Sequence, residues 1–347
     1  MPAIDVVLAG VGEVAHVRTL RRAGVTDAQI QRAAAHGRIE RVRPGWYASH
    51  LADVDQWRAV LTRSKIGCVS ALSRFGVWSG FSQELHLHVP RSASHLDERP
   101  AIPVRGASLG VWHPRTPERR REHRFVPLSS SSSSNLKSSS SSNSNANPTQ
   151  EQEQKPLRHW SIERRPESAL DWIVSPHTAL AQAIRCQDRE NSAAVIDSVL
   201  HERVLGLREV RSIVRSLPRG VHDRIDAYTG HPESGAESLF IRRLVDEGFD
   251  VVPQFNLEPH GRYDGVINGC VLFEVDGRGF HNSAEQFLDD RDRTLVGQAF
   301  GIPVVRPSAK HVFEHWPSTL ATVERVVADA EIVRAARSLP PIVLPRP

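Results

Sequence analysis

Residues 263–281 read YDGVINGCVLFEVDGRGFH, and their pattern is the main basis for the fold that we expect in the C-terminal part of the chain. Asn268-Gly269 between two apolar runs is typical of a tight β-hairpin turn. We therefore predict strands over 263–267 and 270–276. Side chains two apart on a strand share a face, so this hairpin fixes which side chains lie together.

Two carboxylates stand in the second of these strands. Glu274 and Asp276 are two residues apart and share one face of an otherwise apolar strand. Burying two acids is costly unless a cation pairs them. Hard oxygen ligands suit Mg²⁺ or Mn²⁺, so we interpret the pair as part of a metal site.

The length of the hairpin loop decides whether Asp264 joins this pair. A two-residue loop would place Asp264 on the opposite face from Glu274. A three-residue loop over 267–269, with Gly269 left-handed, would pair position 264 with 272 and make Asp264 a diagonal neighbour of Glu274. We predict the three-residue loop, because a metal site needs its carboxylates together.

Two further residues flank the predicted hairpin. Ser234 to Glu237 has the pattern of a helix start, and Glu237 either caps its own helix or reaches a site at the helix start. His281 follows glycines that let the chain bend back, and it could act as a general base or position a water molecule. We also predict a helix over 283–300, whose charge run is typical of a solvated face, and a final strand over 302–306.

These features resemble the very-short-patch-repair-like endonuclease domains of the PD-(D/E)xK superfamily, over about residues 232–316. The resemblance is carried by Asp264, by Glu-Val-Asp-Gly-x-x-x-His at 274–281, by Asp-Arg-x-Arg at 290–293 and by Gly-x-Pro-Val-Val-Arg at 301–306. It implies a restriction-endonuclease-like α-β-β-β-α-β domain that hydrolyses DNA with Mg²⁺ or Mn²⁺.

The resemblance also implies roles for individual residues. Asp264, Glu274 and Asp276 would be metal ligands, Glu237 matches the helix-start acid, and His281 matches the second of two histidines in the repair endonucleases. Gln254, Asp290 and Arg293 are expected as supporting residues. The sequence departs from the superfamily at one position, because Asp276 stands where the usual lysine is found.

A different pattern occupies residues 10–50. We predict a helix over 14–23, a second helix with a Thr26 capping box that ends at Gly37, and a basic hairpin around Pro44-Gly45. This order is typical of a winged helix-turn-helix, in which the second helix enters the major groove and the wing contacts phosphates. The candidate DNA-binding residues are Arg38, Arg41, Arg43, Gln29 and Arg32.

The same stretch resembles the N-terminal domain of abortive-infection type IV antitoxins, through residues 20–26, Ile30 and residues 37–47. That resemblance implies DNA as a partner and a possible cognate toxin protein. We therefore expect a DNA endonuclease guided by a winged helix. The alternative is a catalytically inactive DNA-binding regulator or antitoxin, and a third, less favoured reading is an interaction protein that docks through the charged helix at 289–293.

The middle of the chain is interrupted by a serine-rich tract. Eleven of the fourteen positions 129–142 are Ser, and we expect a disordered insertion over 128–156. It separates a mixed α/β part (51–127) from a mainly helical part (157–230). Strands are expected over 85–89 and within 101–126, with His86 and His88 as a solvent-facing pair rather than a metal pair.

Composition sets broader limits on the chain. Its 347 residues, 39% hydrophobic and with a formal net charge of +4, suit two or three globular domains. The spacing of Cys68, Cys186 and Cys270 argues against a disulfide framework and against a structural zinc site. Without a secretory signal or a long apolar run, we expect a cytoplasmic protein that does not enter a membrane, with a Pro-rich tail at 335–347.

Overall fold

A computed structural model describes residues 2–80, 84–91, 93, 155–161, 170–222, 228, 232–257, 261–276, 300–339 and 342. These residues form twelve helices and three small sheets, which confirms the mixed α/β class. Among the described helices, none has the length and apolarity needed to cross a membrane. The chain divides into two compact units, residues 1–76 with 81–182 and residues 77–80 with 183–347.

Several expectations fall outside the described residues. They are most of the 128–156 insertion, the strands within 101–126, nearly all of the helix over 283–300, and much of the Pro-rich tail.

The first unit begins with three helices and a three-stranded sheet of order β1-β3-β2. The elements are α1 (Ile4–Gly10), β1 (Val14–His16), α2 (Val17–Arg22), α3 (Asp27–Ala35), β2 (Ile39–Arg43) and β3 (Trp46–Ser49). The helix predicted over 14–23 is wrong in its first turn, because Val14 pairs with Ala48 of β3. The His16 side chain accepts a hydrogen bond from the Arg18 N–H and so caps the shorter α2.

Local signals place α3 and the β2–β3 hairpin correctly. The Thr26 side chain accepts from the Gln29 N–H, and Gln29 accepts from the Thr26 N–H at 2.8 Å, so the capping box is confirmed. Gly37 has φ +65°, as a residue that follows a helix end requires. A small core of Leu8, Leu20 and Ile30 packs the helices together.

The rest of the first unit contains a second sheet of order β4-β5-β6. Its elements are α4 (Val54–Leu61), β4 (Lys65–Ile66), α5 (Cys68–Arg74), β5 (His86–Pro90), β6 (Leu157–Ser161) and the start of α6 (Pro176–Cys186). The expectation that His86 and His88 face solvent is wrong, since each is only 2% exposed. They are buried because β5 is the central strand, with β4 and β6 on its two sides and α5 packed against it.

The second unit is built around a four-stranded sheet of order β10-β9-β8-β7. The strands are β7 (Val251–Leu257), β8 (Gly261–Ile267), β9 (Val271–Phe273) and β10 (Val304–Val305). Its complete helices are α7 (Arg189–His201), α8 (Leu207–Arg215), α9 (Arg219–His222), α10 (Gly235–Asp246), α11 (Ala309–Glu314) and α12 (Trp316–Ala336). Strands β7, β8 and β9 are antiparallel, and β10 runs parallel to β9.

Helix α10 packs against this sheet through large apolar side chains. Phe240 is fully buried, and its ring centroid lies 5.2 Å from that of Phe273 on β9. The Ser234 side chain caps α10 by accepting from the Glu237 N–H at 3.1 Å. The packing therefore holds the first turn of α10, including Glu237, beside the sheet.

The β8–β9 hairpin differs from the predicted register. Ile267 pairs with Val271, and the Cys270 N–H donates to the Ile267 carbonyl at 3.0 Å. The loop is therefore 268–270 rather than 267–269. Asn268 and Gly269 both take left-handed φ, so the tight turn forms on these two residues and Cys270 becomes the extra residue.

This shift keeps the predicted face while changing the neighbours. The register moves by two residues, because Val266 pairs with Leu272 where the predicted loop pairs it with Cys270, and the paired ladder ends at Gly265 and Phe273, the neighbours of Asp264 and Glu274. A movement of two residues leaves every side chain on the same face. The predicted pairing of 264 with 272 is wrong, since Leu272 pairs with Val266, while the metal site at these carboxylates stays a prediction.

A candidate carboxylate site

Asp264 lies at the centre of a group of acidic side chains in the second unit. Its Oδ2 accepts a hydrogen bond from the Val275 N–H at 2.7 Å, which ties β8 to the residue that follows Glu274. Burial raises the pKa of Asp264, although the Val275 N–H opposes this rise. Nearby Glu233 and Asp276 raise the pKa further. The surroundings of Asp264 therefore disfavour its ionised form.

Glu237 supplies a second carboxyl group from the first turn of α10. It is 2% exposed, and both of its oxygens are occupied. Its Oε2 accepts from the Glu233 N–H at 2.7 Å, and its Oε1 accepts from Gln254 Nε2 at 2.9 Å. Glu237 therefore secures its own helix start and also reaches across to the sheet, so the two roles left open by the sequence are combined.

The protonation of Glu237 follows from this position. Burial and the neighbouring Asp264 carboxylate raise its pKa from 4.5 to about 8, against the two hydrogen bonds that favour the charged form. Two like charges that share a site cannot both ionise cheaply. Near neutral pH, Glu237 therefore keeps a proton that an ordinary glutamate has lost.

Gln254 holds Glu237 from an unusual backbone conformation. It stands in the middle of β7 with φ +57°, between Pro253 and Phe255, which pair with Gly265 and Tyr263. This register puts Gln254 opposite Asp264. A left-handed non-glycine residue inside a strand is strained, and such strain concentrates at functional sites.

Arg306 is a member of the group that the sequence reasoning missed. Its Nη2 lies 3.0 Å from Glu274 Oε2 and 3.1 Å from Asp276 Oδ1. The Glu274 N–H donates to the Val305 carbonyl, so parallel pairing brings Arg306 to the end of β9 where both acids stand. The signal for this was present, because Arg306 ends the Gly-x-Pro-Val-Val-Arg motif.

The donor chemistry of the group fits a hard divalent cation. Asp264 lies on β8, and Glu274 and Asp276 follow β9; burial, together with neighbouring carboxylates, raises the pKa values of Asp264 and Glu237. The carboxylates are nevertheless not drawn into a tight ligand set in the described part of the chain. Arg306 already neutralises Glu274 and Asp276, so a divalent cation has to compete with its guanidinium.

Three residues expected in or beside this site lie outside the described residues. They are His281, Asp290 and Arg293.

The candidate DNA-binding residues of the first unit differ in their surroundings. Arg32 on α3 and Arg41 on β2 are exposed. Arg38 is exposed but forms an ion pair with Asp5. Arg43 lies over the Trp46 ring, 5.1 Å from its centroid. Gln29 is engaged in the α3 capping box. Arg32 and Arg41 are therefore the two whose side chains are best placed to meet a large anionic partner.

No protein-family model and no curated protein matches the chain. A function for it has to be argued from the residues, contacts and charges of the two units.

Proposed function

We propose that the chain is a metal-dependent DNA endonuclease whose active site is the carboxylate group of the second unit. The observation that carries this proposal is the 2.7 Å hydrogen bond from the Val275 N–H, next to Glu274, to Asp264 Oδ2, with the Asp264 carboxylate close enough to raise the pKa of Glu237. Acids from a helix start and two adjacent antiparallel strands are the arrangement expected of a restriction-endonuclease-like domain over 232–316. A solvated surface would not crowd acids in this way.

Asp264, Glu274 and Asp276 are the residues that would hold Mg²⁺ or Mn²⁺. When bound, the cation polarises the phosphate and lowers the pKa of a water molecule. Glu237 holds a proton near neutral pH and Gln254 fixes its orientation, so Glu237 can exchange that proton as the local charge changes. Arg306 supplies the positive charge that the lysine of the superfamily motif would otherwise bring.

The first unit would bring the DNA. A helix with a firm cap, followed by a basic hairpin, supports a winged helix-turn-helix over 10–50, with Arg32 on the second helix and Arg41 on the wing. Exposed arginines bind phosphates with a strong dependence on salt and little dependence on sequence. Arginines of the first unit would thus capture DNA, and carboxylates of the second unit would hydrolyse it.

Arg306 favours a second candidate function. A guanidinium that already neutralises Glu274 and Asp276 removes the electrostatic need for a metal ion. The chain would then be a DNA-binding regulator or antitoxin, with a cognate toxin as a possible partner and a nuclease-like domain that does not cut.

Plasmid nicking separates the two candidates. The full chain is incubated with supercoiled plasmid and Mg²⁺ or Mn²⁺, and the same reaction is run with Asp264→Asn. We expect nicking that requires the metal and falls at least about a hundredfold in the variant, the size of loss typical when a charged catalytic group is removed. Asp246→Asn, an exposed carboxylate on α10, is the matched control and should cut like the wild type.

Two outcomes would contradict the endonuclease. One is the absence of metal-dependent nicking on any plasmid, and the other is equal nicking by wild type and Asp264→Asn. Salt-dependent duplex binding that Arg41→Ala weakens and Asp264→Asn leaves unchanged, without cleavage, would instead support the regulator.

A further inference from the structure

A thiol and two imidazoles lie close together inside the first unit. The donor atoms of Cys68, His86 and His159 are all within 4.8 Å of one another. Cys68 and His86 are buried, while His159 is partly exposed. All three residues belong to the same compact unit, and they are far apart in sequence, so no local spacing reveals the group.

Two parallel strands bring the histidines together. β5 and β6 pair in parallel, with His88 opposite His159. Side chains two apart on a strand share a face, so His86 lies on the same face of β5 as His88, and Ser161 on the same face of β6 as His159. Contacts across the pair join these two faces. Ser161 Oγ lies 3.2 Å from His88 Nδ1, and His86 Nδ1 lies 3.0 Å from His159 Nε2. The sheet therefore presents both imidazoles on one side.

Cys68 reaches the histidines because α5 begins directly beside the sheet. It is the first residue of α5 and follows Gly67, whose N–H donates to the His86 carbonyl at 2.9 Å. A Cβ at Gly67 would lie 3.0 Å from the His88 backbone nitrogen, so glycine allows α5 to start this close to β5. Cys68 itself has φ +50°, and such strain in a residue other than glycine concentrates at functional sites.

A buried amide of the same unit fixes Cys68 relative to the strands. Gln182 is 5% exposed, and its Oε1 accepts a hydrogen bond from the Cys68 N–H at 2.9 Å. Its Nε2 lies 2.9 Å from His88 Nδ1 and 2.9 Å from Ser161 Oγ. Gln182 thus connects the start of α5 to the strand neighbours of both imidazoles. Hydrogen bonds therefore hold the thiol beside the two rings.

The two imidazoles face each other through ring nitrogens, and the rings are nearly parallel, with an interplanar angle of 17°. Two ring nitrogens at 3.0 Å need a proton or a metal cation between them, because their lone pairs otherwise repel. Ligand atoms of a tetrahedral zinc ion, with bonds of about 2.0–2.3 Å, are separated by roughly 3.3–3.8 Å. The two nitrogens are thus near the spacing that a shared ion imposes, and Cys68 adds a sulfur that a shared proton would not need.

We propose that Cys68, His86 and His159 bind a zinc ion within the first unit. One thiolate and two imidazoles form a borderline-soft ligand set that suits Zn²⁺ and does not suit Mg²⁺ or Ca²⁺. The ion fastens the start of α5 to β5 and β6, and the partly exposed His159 gives it a path from solvent. A tetrahedral zinc ion takes one further ligand in addition to these three residues. This site does not depend on the nuclease proposed for the second unit.

Metal analysis of the full chain tests this proposal. The protein is purified from zinc-supplemented cells under reducing conditions without chelators, and its metal content is measured by mass spectrometry. We expect about one zinc per chain in the wild type and at least a tenfold loss of zinc in Cys68→Ser and His159→Asn, because each variant removes a ligand. Cys270→Ala and His36→Asn are the matched controls and should retain the metal, since neither residue belongs to the group.

Cobalt substitution reports the ligands in the wild type itself. Replacement of zinc by Co²⁺ should give a thiolate-to-cobalt charge-transfer band and the visible absorption of a tetrahedral site. Both should be lost in His159→Asn. Because His159 is partly exposed, this variant should keep the circular dichroism spectrum of the wild type even if Cys68→Ser misfolds.

The rival interpretation is a pair of imidazoles that share a proton beside an unligated thiol. It predicts a wild type that carries no zinc and gives no charge-transfer band with Co²⁺, and that result would overturn the proposal. Zinc bound equally well by the wild type, Cys68→Ser and His159→Asn would also overturn it, since the ion would then lie elsewhere. The same donors bind copper in electron-transfer proteins, so copper found in place of zinc would contradict the identity of the ion.

Discussion

Glu237 accepts two hydrogen bonds that favour its carboxylate form, and yet its pKa is about 8. Burial and the Asp264 charge outweigh those bonds. A folded chain therefore keeps a proton on Glu237 that the unfolded chain, with an ordinary pKa of 4.5, has released. Protons bound only by the folded state make stability depend on pH.

The sign of this dependence gives a first prediction. The raised pKa contributes stability that is fully present below pH 4.5 and is lost as pH rises through about 8. In buffer without Mg²⁺, the melting temperature of the wild type should fall across this window. Glu237→Gln, which cannot ionise, should have a flatter profile, the difference being a few kcal/mol at most at about 1.4 kcal/mol per pKa unit. Parallel profiles for the two proteins would contradict the assignment.

Arg306 stands where a metal ion is expected, and this makes its removal informative. Without its guanidinium, the buried Glu274 loses its counter-charge, and only a cation from solvent can replace it. Arg306→Gln should therefore melt below the wild type in the absence of divalent metal.

Addition of Mg²⁺ should raise the melting temperature of Arg306→Gln more than that of the wild type. A tenfold tighter Kd adds about 1.4 kcal/mol of stabilisation when the site is saturated. Arg185→Gln, a substitution of an exposed arginine on α6, serves as the control. Equal Mg²⁺-induced shifts in wild type and Arg306→Gln would show that Arg306 and the metal do not compete.

At the scale of elements, the β8–β9 hairpin aligns the site, and Gly265 is its tightest point. A Cβ at Gly265 would lie 2.5 Å from the Val252 carbonyl oxygen and 2.6 Å from the Phe273 ring. Neither neighbour can give way easily, since one is backbone of β7 and the other is a fully buried aromatic side chain.

Gly265→Ala should consequently lower the free energy of unfolding by roughly 1–3 kcal/mol, the cost of overpacking a filled core. Urea denaturation measures this change. Gly220→Ala in α9 meets no atom within 4 Å and should change stability little or raise it slightly. If Gly265→Ala were as stable as Gly220→Ala, the close packing of β7, β8 and β9 would be contradicted.

The hairpin also shows how far the sequence could predict the site. Alternation placed Glu274 and Asp276 together, and the need for a common face brought in Asp264. The turn was missed by one residue, because Asn268 and Gly269 both take left-handed φ and leave Cys270 as the extra residue. Arg306 was missed although it ends a recognisable motif, because the motif does not show that β10 pairs in parallel with β9, which is a long-range contact.

The buried histidines show the same limit in the first unit. His86 and His88 look like an exposed pair on an alternating strand. Their burial depends on β6, which joins β5 from residues more than sixty positions later in the chain. Ligand sets assembled by such long-range pairing have no sequence spacing to recognise, whereas caps such as Thr26 with Gln29 are local and were predicted correctly.

At the scale of the whole molecule, the two units carry different chemistry. The first has exposed arginines on α3 and β2, while the second has buried and partly buried carboxylates around Asp264. Hydrolysis of a phosphodiester in the proposed way requires a metal ion at the carboxylates around Asp264.

Binding of Mn²⁺ to the full chain, followed by electron paramagnetic resonance, tests whether the carboxylates around Asp264 hold a metal ion. We predict saturable Mn²⁺ binding by the wild type and by Asp246→Asn, with the affinity falling at least about tenfold in Asp264→Asn and Glu274→Gln, the loss expected when a ligand is removed. Mn²⁺ binding that is absent from the wild type, or equally tight in all four proteins, would contradict a metal site at these carboxylates.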